Sequence, residues 1–375
     1  MLSESPGARR SVFRLYPAPS DIDSISTLTL HLRGQTIIVA SNTNNRAPAL
    51  DFTKGALVLI MVLYHWLNYF YSVHGYFYRY LRFLPPSFIF ITGFLISHIY
   101  FSKYSIADPN LRKRLIRRGL KLLAIFILLN LAISSVISES YDGRILFAYS
   151  SLKTIVSVYV VGNTFVAGGK LAAFYVLVPI SYLLILSAGL LPICKLYKYV
   201  YHITCILSLV CVIALNIWGL ESSNLELITI GLLGLICGYI PIERVNMIIK
   251  RPYVLGAGYV CYLTAITIWD ATYPLEIIGV CLTLIVIYSC GTWGRDSGKV
   301  WQNIILLGRY SLFGYITQVA VLQLLHRSLR HNEGAGTLCI SFFVALFFTI
   351  MIVVAVDWAR TKAGSVNRLY VAVFS

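Results

Sequence analysis

The chain carries little charge for its length. Only 12% of its 375 residues are Asp, Glu, Lys or Arg, whereas a soluble protein uses about 25%. Hydrophobic residues make up 58%, and the mean hydropathy is +0.76. Such a chain cannot cover a water-exposed surface with polar groups, so the composition excludes a soluble fold and predicts a polytopic membrane protein.

The sequence also lacks the spacings of common cofactor and metal sites. Its eight cysteines lie singly in apolar runs, with no CxxC pair and no histidines at metal-ligand spacing. No HExxH, GxSxG, Walker A or dinucleotide-binding glycine motif occurs in a suitable context. We therefore expect no disulfide framework and no metal, and we interpret the cysteines as small buried hydrophobes.

Long apolar runs predict the fold. A helix needs about 20 apolar residues to cross roughly 30 Å of hydrocarbon. The runs lack the alternation of barrel strands, so we predict an all-α helical bundle with about ten transmembrane helices. The ten windows lie near residues 50–72, 84–102, 116–138, 171–192, 199–219, 225–243, 253–270, 274–291, 302–326 and 336–358.

The placement of positive charge predicts the orientation. If both termini are cytoplasmic, 24 of the 31 Lys and Arg residues fall on the inner side, as the positive-inside rule requires. The net charge of +16 thus follows topology, and no nucleic acid is expected as a partner. The predicted parts are a mobile cytoplasmic tail (1–45), a ten-helix domain (46–360) and a second cytoplasmic tail (361–375). In the outer loop 139–170, segment 154–165 is apolar enough to lie in the interface or re-enter the bundle.

The first predicted span holds two ionisable side chains. Each costs about 3 kcal/mol inside a membrane on insertion scales, so each is a candidate for function. Lys54 and His65 are eleven residues apart, which places them on one helix face about 16 Å apart along the axis. Asp51 and Asn68 extend this polar stripe by one turn at either end. The alternative is a snorkelling lysine and a histidine hydrogen-bonded between helices.

Polar residues in the second span and before the third have two interpretations. Thr92-Gly93 is a small-residue step, for which helix packing is the favoured role of Gly93. Among the five cations of residues 112–118, Arg117 and Arg118 lie deepest in the membrane. Their planar guanidinium groups suit a phosphate, although contact with anionic lipid explains most of this cluster.

A second polar stripe occurs in the ninth predicted span. Ser311, Tyr315 and Gln318 fall at positions i, i+4 and i+7, which share one helix face. This stripe could meet the first one in the interior of the bundle. Hydrogen bonding between helices would explain it as well.

The first span carries the most specific resemblance. Leu50-Asp51-x-x-Lys54-Gly55, with His65 eleven residues after the lysine, resembles the opening of the membrane-bound acyltransferase-3 superfamily. That superfamily includes glucan succinyltransferases and is related to glucosaminide N-acetyltransferases. Its first helix begins Leu-Asp-x-x-Arg-Gly, so lysine stands here in place of arginine.

The resemblance extends over nearly the whole chain. Residues 90–96, Phe-Ile-Thr-Gly-Phe-Leu-Ile, are similar to the family's Phe-x-x-Ser-Gly-Phe-Leu-Ile, and residues 307–311 are similar to its late Leu-Gly-x-x-Ser element. An arginine-rich entry to the third helix and a core of ten spans also match. Thr317-Gln318 stands where many members have a histidine.

The resemblance implies acyl transfer from cytoplasmic acyl-CoA to a hydroxyl or amine of an acceptor at the outer side. It makes His65 the candidate general base, or the nucleophile of a transient acyl-histidine. The implied binding sites use more residues. The CoA phosphates would be held by Lys54, Arg117, Arg118 and Arg309, and the substrate-binding candidates are Asn68, Thr92, Tyr315 and Gln318, among which Asn68, Thr92 or Gln318 would donate to the oxyanion.

The family suggests an acetyl or succinyl group and a carbohydrate or glycolipid acceptor, in the cytoplasmic membrane of a bacterium. The implied partners are the lipid bilayer, acyl-CoA and the acceptor, with a homodimer as an open alternative. Two other functions fit the same polar stripe. One is a secondary transporter or flippase for a sugar or lipid-linked substrate, although inverted repeats are not evident. The other is a non-catalytic membrane scaffold.

Overall fold

A computed structural model describes most of the chain. The described residues are 27–32, 35–40, 48–70, 76–104, 108–137, 155–163, 165–166, 169–170, 173–270, 272–294, 298–329 and 335–374. The chain divides into two compact units, Met1–Ala47 and Pro48–Ser375.

In the first unit, two strands are described. Strand β1 (Thr27–Leu32) pairs antiparallel with β2 (Gln35–Ala40), with Thr27 opposite Ala40 and Leu32 opposite Gln35. The other residues of the predicted tail 1–45 lie outside the described residues. Its mobility and its cytoplasmic location therefore stay predictions.

The second unit is almost entirely helical where it is described. Thirteen α-helices follow one another along the described part of this unit, and apolar runs of the sequence form most of them. They are α1 (Pro48–Phe70), α2 (Leu84–Leu95), α3 (Pro109–Ile137), α4 (Leu177–Cys194), α5 (Val200–Ile217), α6 (Ser223–Cys237), α7 (Ile242–Ile249), α8 (Pro252–Trp269), α9 (Tyr273–Trp293), α10 (Lys299–Arg309), α11 (Ser311–Ser328), α12 (Ala335–Lys362) and α13 (Gly364–Phe374).

Short elements join the long helices. A 3₁₀-helix (Tyr76–Leu81) precedes α2, and a π-helix (Ile96–Phe101) continues it. A second π-helix (Val156–Val161) lies between α3 and α4, followed by the antiparallel pair β3 (Phe165–Val166) and β4 (Gly169–Lys170). Most of the predicted outer loop 139–170 lies outside the described residues.

Seven of the described helices are long and apolar enough to cross a membrane, or nine if each of two bent helix pairs forms one span. The prediction of a multi-pass, helical membrane protein is confirmed. The two bent pairs are α6 with α7, at 96°, and α10 with α11, at 93°. Windows 225–243 and 302–326 each contain one of these breaks, so neither is the single straight helix that its hydropathy suggested. The count of ten spans and the cytoplasmic location of both termini stay predictions.

Helix α1 lies at the centre of one half of the bundle. It packs against α2, α9, α10, α11 and α12, and Leu57, Val58 and Val62 on it are fully buried. A helix surrounded by so many neighbours must be apolar around most of its circumference. Its few polar residues are therefore held inside protein rather than exposed to lipid.

The other half of the bundle is built around α2, α3, α4 and α6. A β-carbon added to Gly93 of α2 would lie 1.9 Å from the carbonyl oxygen of Gly231 in α6, and one added to Gly234 would lie 2.1 Å from that of Phe90. The two backbones touch at these glycines, which is the small-residue packing of membrane helices. The packing interpretation of Gly93 is confirmed.

Candidate active site

Helices α1 and α10 cross in backbone contact near Lys54. A β-carbon added to Gly55 would lie 1.9 Å from the carbonyl oxygen of Ile304, and one added to Gly308 would lie 1.7 Å from that of Asp51. No side chain fits at such distances, so the crossing requires glycine on both helices. It brings together the first-helix motif and the late Leu-Gly-x-x-Ser element, which are far apart in sequence.

Three charged side chains meet at this crossing and form a cationic cluster of Asp51, Lys54 and Arg309. Lys54 Nζ lies 2.5 Å from Asp51 Oδ1, and Arg309 Nε lies 4.0 Å from Asp51 Oδ2. The Asp51 side chain is only 9% exposed, and a buried carboxylate needs such cationic partners. Arg309 is 55% exposed. The cluster keeps one net positive charge, and Arg309 is the member that can most readily bind an external anion.

The His65 ring lies inside the bundle. The residue is 7% exposed, and the centroid of its ring lies 5.9 Å from that of Tyr315 in α11 and 5.3 Å from that of Tyr64. Helix α1 is unbroken between Lys54 and His65, so their axial separation is about 16 Å, as the spacing predicts. The imidazole therefore points into protein and not into lipid.

The polar stripe of α11 faces α1. Gly314 of α11 lies against Val58, and Leu322 packs with Val62. Between them, Tyr315 is 6% exposed and Gln318 is fully buried. The second polar stripe therefore meets the first beside His65, as its spacing allowed.

Gln318 and Asn68 bury polar atoms that lack hydrogen-bond partners among the described residues. Both the nitrogen and the oxygen of the Gln318 amide are in this state, and so is the carbonyl oxygen of Asn68. Buried polar groups nearly always have partners in folded proteins, and the exceptions call for an explanation. Binding of a polar ligand or a water molecule at these amides would supply one.

A pair of tyrosines lies next to His65 along α1. The hydroxyls of Tyr64 and Tyr78 share a hydrogen bond, and the Asn68 side chain interacts with both hydroxyls. This links the far end of α1 to the 3₁₀-helix that precedes α2. The polar stripe thus continues beyond His65 as a hydrogen-bonded group.

Other predicted site residues are arranged differently. The Thr92 hydroxyl donates to the carbonyl oxygen of Phe88, 2.8 Å away in its own helix, so its proton is already in use. Arg117 and Arg118 are exposed on α3, which packs against α4 rather than α1. Arg118 donates to the Tyr100 hydroxyl. The structure does not bring these two arginines into the cationic cluster.

Two further side chains, in helices that pack against α1, were not predicted from the sequence. The Trp301 ring stacks on Phe52 with centroids 4.1 Å apart, and its Nε1–H is buried without a hydrogen-bond partner in the described structure. The Thr283 hydroxyl on α9 is in the same state. A lone Thr or Trp inside an apolar window carries no sequence signal, because most such residues are satisfied by the backbone or by packing.

Trp301, Thr283 and Gln318 lie in α10, α9 and α11, three helices that pack against α1. Trp301 lies at the level of Phe52, and so does Gly291 of α9, whose β-carbon position is 2.9 Å from the Phe52 ring. Thr283 precedes Gly291 by eight residues on α9, or about 12 Å along the helix axis. Gln318 follows Tyr315, the neighbour of the His65 ring, by three residues on α11. Three buried, unsatisfied hydrogen-bonding groups are therefore carried by helices that surround α1.

One cavity of about 230 Å³ lies away from this site. It is between α3 and the π-helix Val156–Val161, and none of the predicted site residues lines it. Within the described ranges, no group of three or more His, Cys, Asp or Glu side chains is placed to hold a metal ion. The cavity is lined by Ile127, Asn130, Leu131, Ile155 and Tyr159.

The arrangement can bind an anion at one end of α1 and carry out proton transfer at the other. Imidazole is the side chain that accepts and returns protons most readily near neutral pH. Buried amides beside it can donate to a developing oxyanion in a low-dielectric setting. Since His65 is enclosed by protein, side chains around it must move to admit a substrate.

Comparison with known proteins identifies the family. The acyltransferase domain family matches residues 48–358, which include both motifs that cross at Gly55 and Gly308. No curated protein and no solved structure matches the chain. The match favours an enzyme over the transporter, flippase and scaffold alternatives. It also confirms the prediction that the enzyme is an acyltransferase for groups other than amino-acyl groups. The chain belongs to the acyltransferase-3 superfamily and is a multi-pass membrane acyltransferase.

Proposed function

We propose that this acyltransferase moves an acyl group from cytoplasmic acyl-CoA to a hydroxyl or amine of a carbohydrate or glycolipid at the outer side. The observation that carries the proposal is the position of buried His65, on the same helix as Lys54 and about 16 Å from it. A thioester with a phosphate-bearing tail requires cations for the phosphates and, at a distance, a base beside its carbonyl group.

The phosphates of CoA are assigned first to the cationic cluster. Lys54 is held in place by Asp51, and the exposed guanidinium of Arg309 is free to bind a phosphate with two N–H groups. Arg117 and Arg118 are kept as second contacts, since they lie on another helix and are exposed. In this assignment Asp51 orients the cations and does not touch the donor.

The pantetheine arm is assigned to the course of α1. Its amide groups need hydrogen-bond partners when they leave water. On three helices packed against α1, the Trp301 Nε1–H, the Thr283 hydroxyl and the Gln318 amide are buried and unsatisfied. A chain that carries amides and extends from the cluster to His65 would satisfy these side chains.

At His65 the reaction is a direct acyl transfer. A ring nitrogen accepts the proton of the acceptor hydroxyl, and the hydroxyl oxygen attacks the thioester carbonyl carbon. The carbon–sulfur bond then breaks, and the CoA thiolate leaves with the proton that His65 returns. Positioned acid–base catalysis of this kind contributes about 100-fold to 10,000-fold.

The oxyanion and the acceptor are assigned to the polar residues around His65. Gln318 is the leading oxyanion donor, because its amide is fully buried and its nitrogen is unsatisfied. Asn68 is the second candidate, but its unsatisfied atom is the accepting Oδ1, so its amide nitrogen would have to leave the Tyr64 and Tyr78 hydroxyls in order to donate. Thr92 would have to give up its bond to Phe88 to take part. Tyr315 forms an aromatic wall against the imidazole and contacts the substrate there.

The proposal also covers the acyl group that is transferred, the partners and the membrane in which the enzyme lies. The favoured acyl group is acetyl or succinyl. The enzyme would lie in the cytoplasmic membrane of a bacterium, with both chain termini on the inner side. The lipid bilayer, acyl-CoA and the glycan or glycolipid are the partners, and a homodimer is an open alternative. No metal takes part in the proposed chemistry.

The test uses the purified full chain in lipid vesicles with radiolabelled acetyl-CoA or succinyl-CoA. In the presence of a cell-envelope extract, we expect release of free CoA and transfer of label to a glycan or glycolipid. Mass spectrometry of envelope glycans with and without the gene should then show a difference of one acyl unit. Absence of thioester turnover with every acyl-CoA tried, under conditions in which the protein is folded, would contradict the proposal.

A further inference from the structure

Phe174 has an unusual backbone for a large residue. Its φ is +56°, in the left-handed region that side chains other than those of Asn and Asp rarely adopt. It is also 3% exposed, so the ring is packed in the interior. Such strain persists only where the surrounding structure fixes it, and it is common at functional sites.

Asn130 of α3 fixes the residue before Phe174. Its Oδ1 accepts from the Ala173 N–H at 2.8 Å, and its Nδ2 donates to the Ala173 carbonyl oxygen at 2.9 Å. The same Nδ2 donates to the carbonyl oxygen of Phe126 at 2.9 Å. Both backbone groups of Ala173 are thus bound to one buried amide.

Asn224 of α6 fixes the residue after Phe174. The Tyr175 hydroxyl donates to Asn224 Oδ1, and Asn224 Nδ2 donates to the carbonyl oxygen of Tyr159 at 3.0 Å. Gly162, with a φ of +90°, leaves room for the Tyr175 hydroxyl. Phe174 is therefore held between two asparagine anchors on different helices.

The ring of Phe174 reaches the candidate active site. It meets the Tyr315 ring edge-on, with centroids 5.9 Å apart and an interplanar angle of 84°. Tyr315 in turn lies 5.9 Å from the His65 ring. A continuous row of packed rings thus runs from the anchored segment to the imidazole.

We propose that Asn130 and Asn224 hold Phe174 in its left-handed conformation so that its ring fixes Tyr315 against His65. Phe174 is then a positioning residue, which acts through Tyr315 and does not touch the reacting atoms. The inference rests on the proposed role of His65. It gives the strained turn before α4 a function, since a relaxed backbone at Phe174 would aim the ring elsewhere.

The test compares Phe174→Gly and Phe174→Tyr in turnover of radiolabelled acetyl-CoA. Glycine accepts the left-handed backbone without strain but lacks the ring, so we expect kcat to fall about 10-fold to 100-fold, with the KM for acetyl-CoA nearly unchanged. Phe174→Tyr keeps the ring and should retain most of the turnover. Asp270, the other described non-glycine residue with positive φ, supplies the control: Asp270→Gly relieves similar strain at an exposed position and should leave kcat unchanged.

A double-mutant cycle separates positioning from general stability. If Phe174 acts through Tyr315, the pair Phe174→Gly and Tyr315→Ala should lower kcat no more than Tyr315→Ala alone. Asn130→Ala should lower kcat in the same direction as Phe174→Gly. If a variant does not fold, Phe174→Leu, which stays apolar and buried but lacks the ring, replaces it in the cycle.

Two outcomes would overturn the proposal. One is wild-type kcat in folded Phe174→Gly or Phe174→Leu, and the other is full additivity in the cycle with Tyr315→Ala. His65→Ala is measured alongside. If His65→Ala is inactive while the Phe174 variants are fully active, only the positioning role fails. If His65→Ala keeps wild-type turnover, the proposed function of the site fails as well.

Discussion

Gly308 of α10 lies against the backbone of Asp51 in α1, so closely that a β-carbon there would come within 1.7 Å of the Asp51 carbonyl oxygen. This contact places Arg309, the next residue, beside the Asp51 carboxylate. The charged cluster at the start of α1 therefore depends on a glycine in a helix late in the chain. The two motifs that first suggested an acyltransferase form a single structural unit.

The Gly308 contact predicts a large effect of a small substitution. Gly308→Ala should lower the free energy of unfolding by about 1–3 kcal/mol, because the added methyl group must push two backbones apart. Gly256→Ala is the matched control, since Gly256 lies in helix α8 with nothing within 4 Å of its β-carbon position. It should be neutral or stabilising by up to about 1 kcal/mol. Thermal unfolding in detergent measures both, and equal stability of the two variants would contradict the contact.

The buried Gln318 amide should lower the free energy of unfolding while it contributes to catalysis. Replacing its unsatisfied buried amide by an apolar group removes a desolvation penalty, so Gln318→Leu should raise the free energy of unfolding by about 1–3 kcal/mol. If the amide is the oxyanion donor, the same variant should lose roughly 100-fold in kcat. Gln302→Leu, at an exposed position of α10, should change neither quantity strongly. A Gln318→Leu variant that is less stable and fully active would show that the amide has a structural partner instead.

Arg309 should matter more for the donor than other cations that are predicted to lie on the cytoplasmic side. Arg309→Gln should raise the KM for acyl-CoA about tenfold by removing a charge-assisted contact to phosphate. In Arg309→Gln, KM should also depend less on salt concentration than in the unchanged protein, because fewer positive charges attract the donor. Arg244→Gln, an exposed cation of α7 predicted to lie on the same side, is the control. The assignment is wrong if the two variants have the same KM for acyl-CoA.

Features confined to one helix were predictable from the sequence. The angle and rise of a helix place Lys54 and His65 on one face whatever surrounds them. The polar face of Tyr315 and Gln318 followed from the same rule. Seven of the predicted windows lie on described helices that can span a membrane, since hydropathy depends on composition alone.

Features that depend on contacts between helices were not predictable. The 93° break between α10 and α11 lies within one apolar window, because hydropathy reports length and not direction. Arg117 and Arg118 have the chemistry of a phosphate site, yet the packing of α3 on α4 separates them from the cluster around Asp51. Asn130 lies in an apolar run, and no pattern there indicates that its amide binds the backbone of Ala173.

The most direct measurement is turnover of radiolabelled acyl-CoA by His65→Ala in lipid vesicles. His98→Ala is run in parallel, because His98 stacks on Phe94 in the π-helical segment and has no role in the proposed chemistry. We predict that His65→Ala inserts and folds as the unchanged protein does, with turnover reduced at least about 100-fold, while His98→Ala stays active. Unchanged turnover by folded His65→Ala would contradict the account.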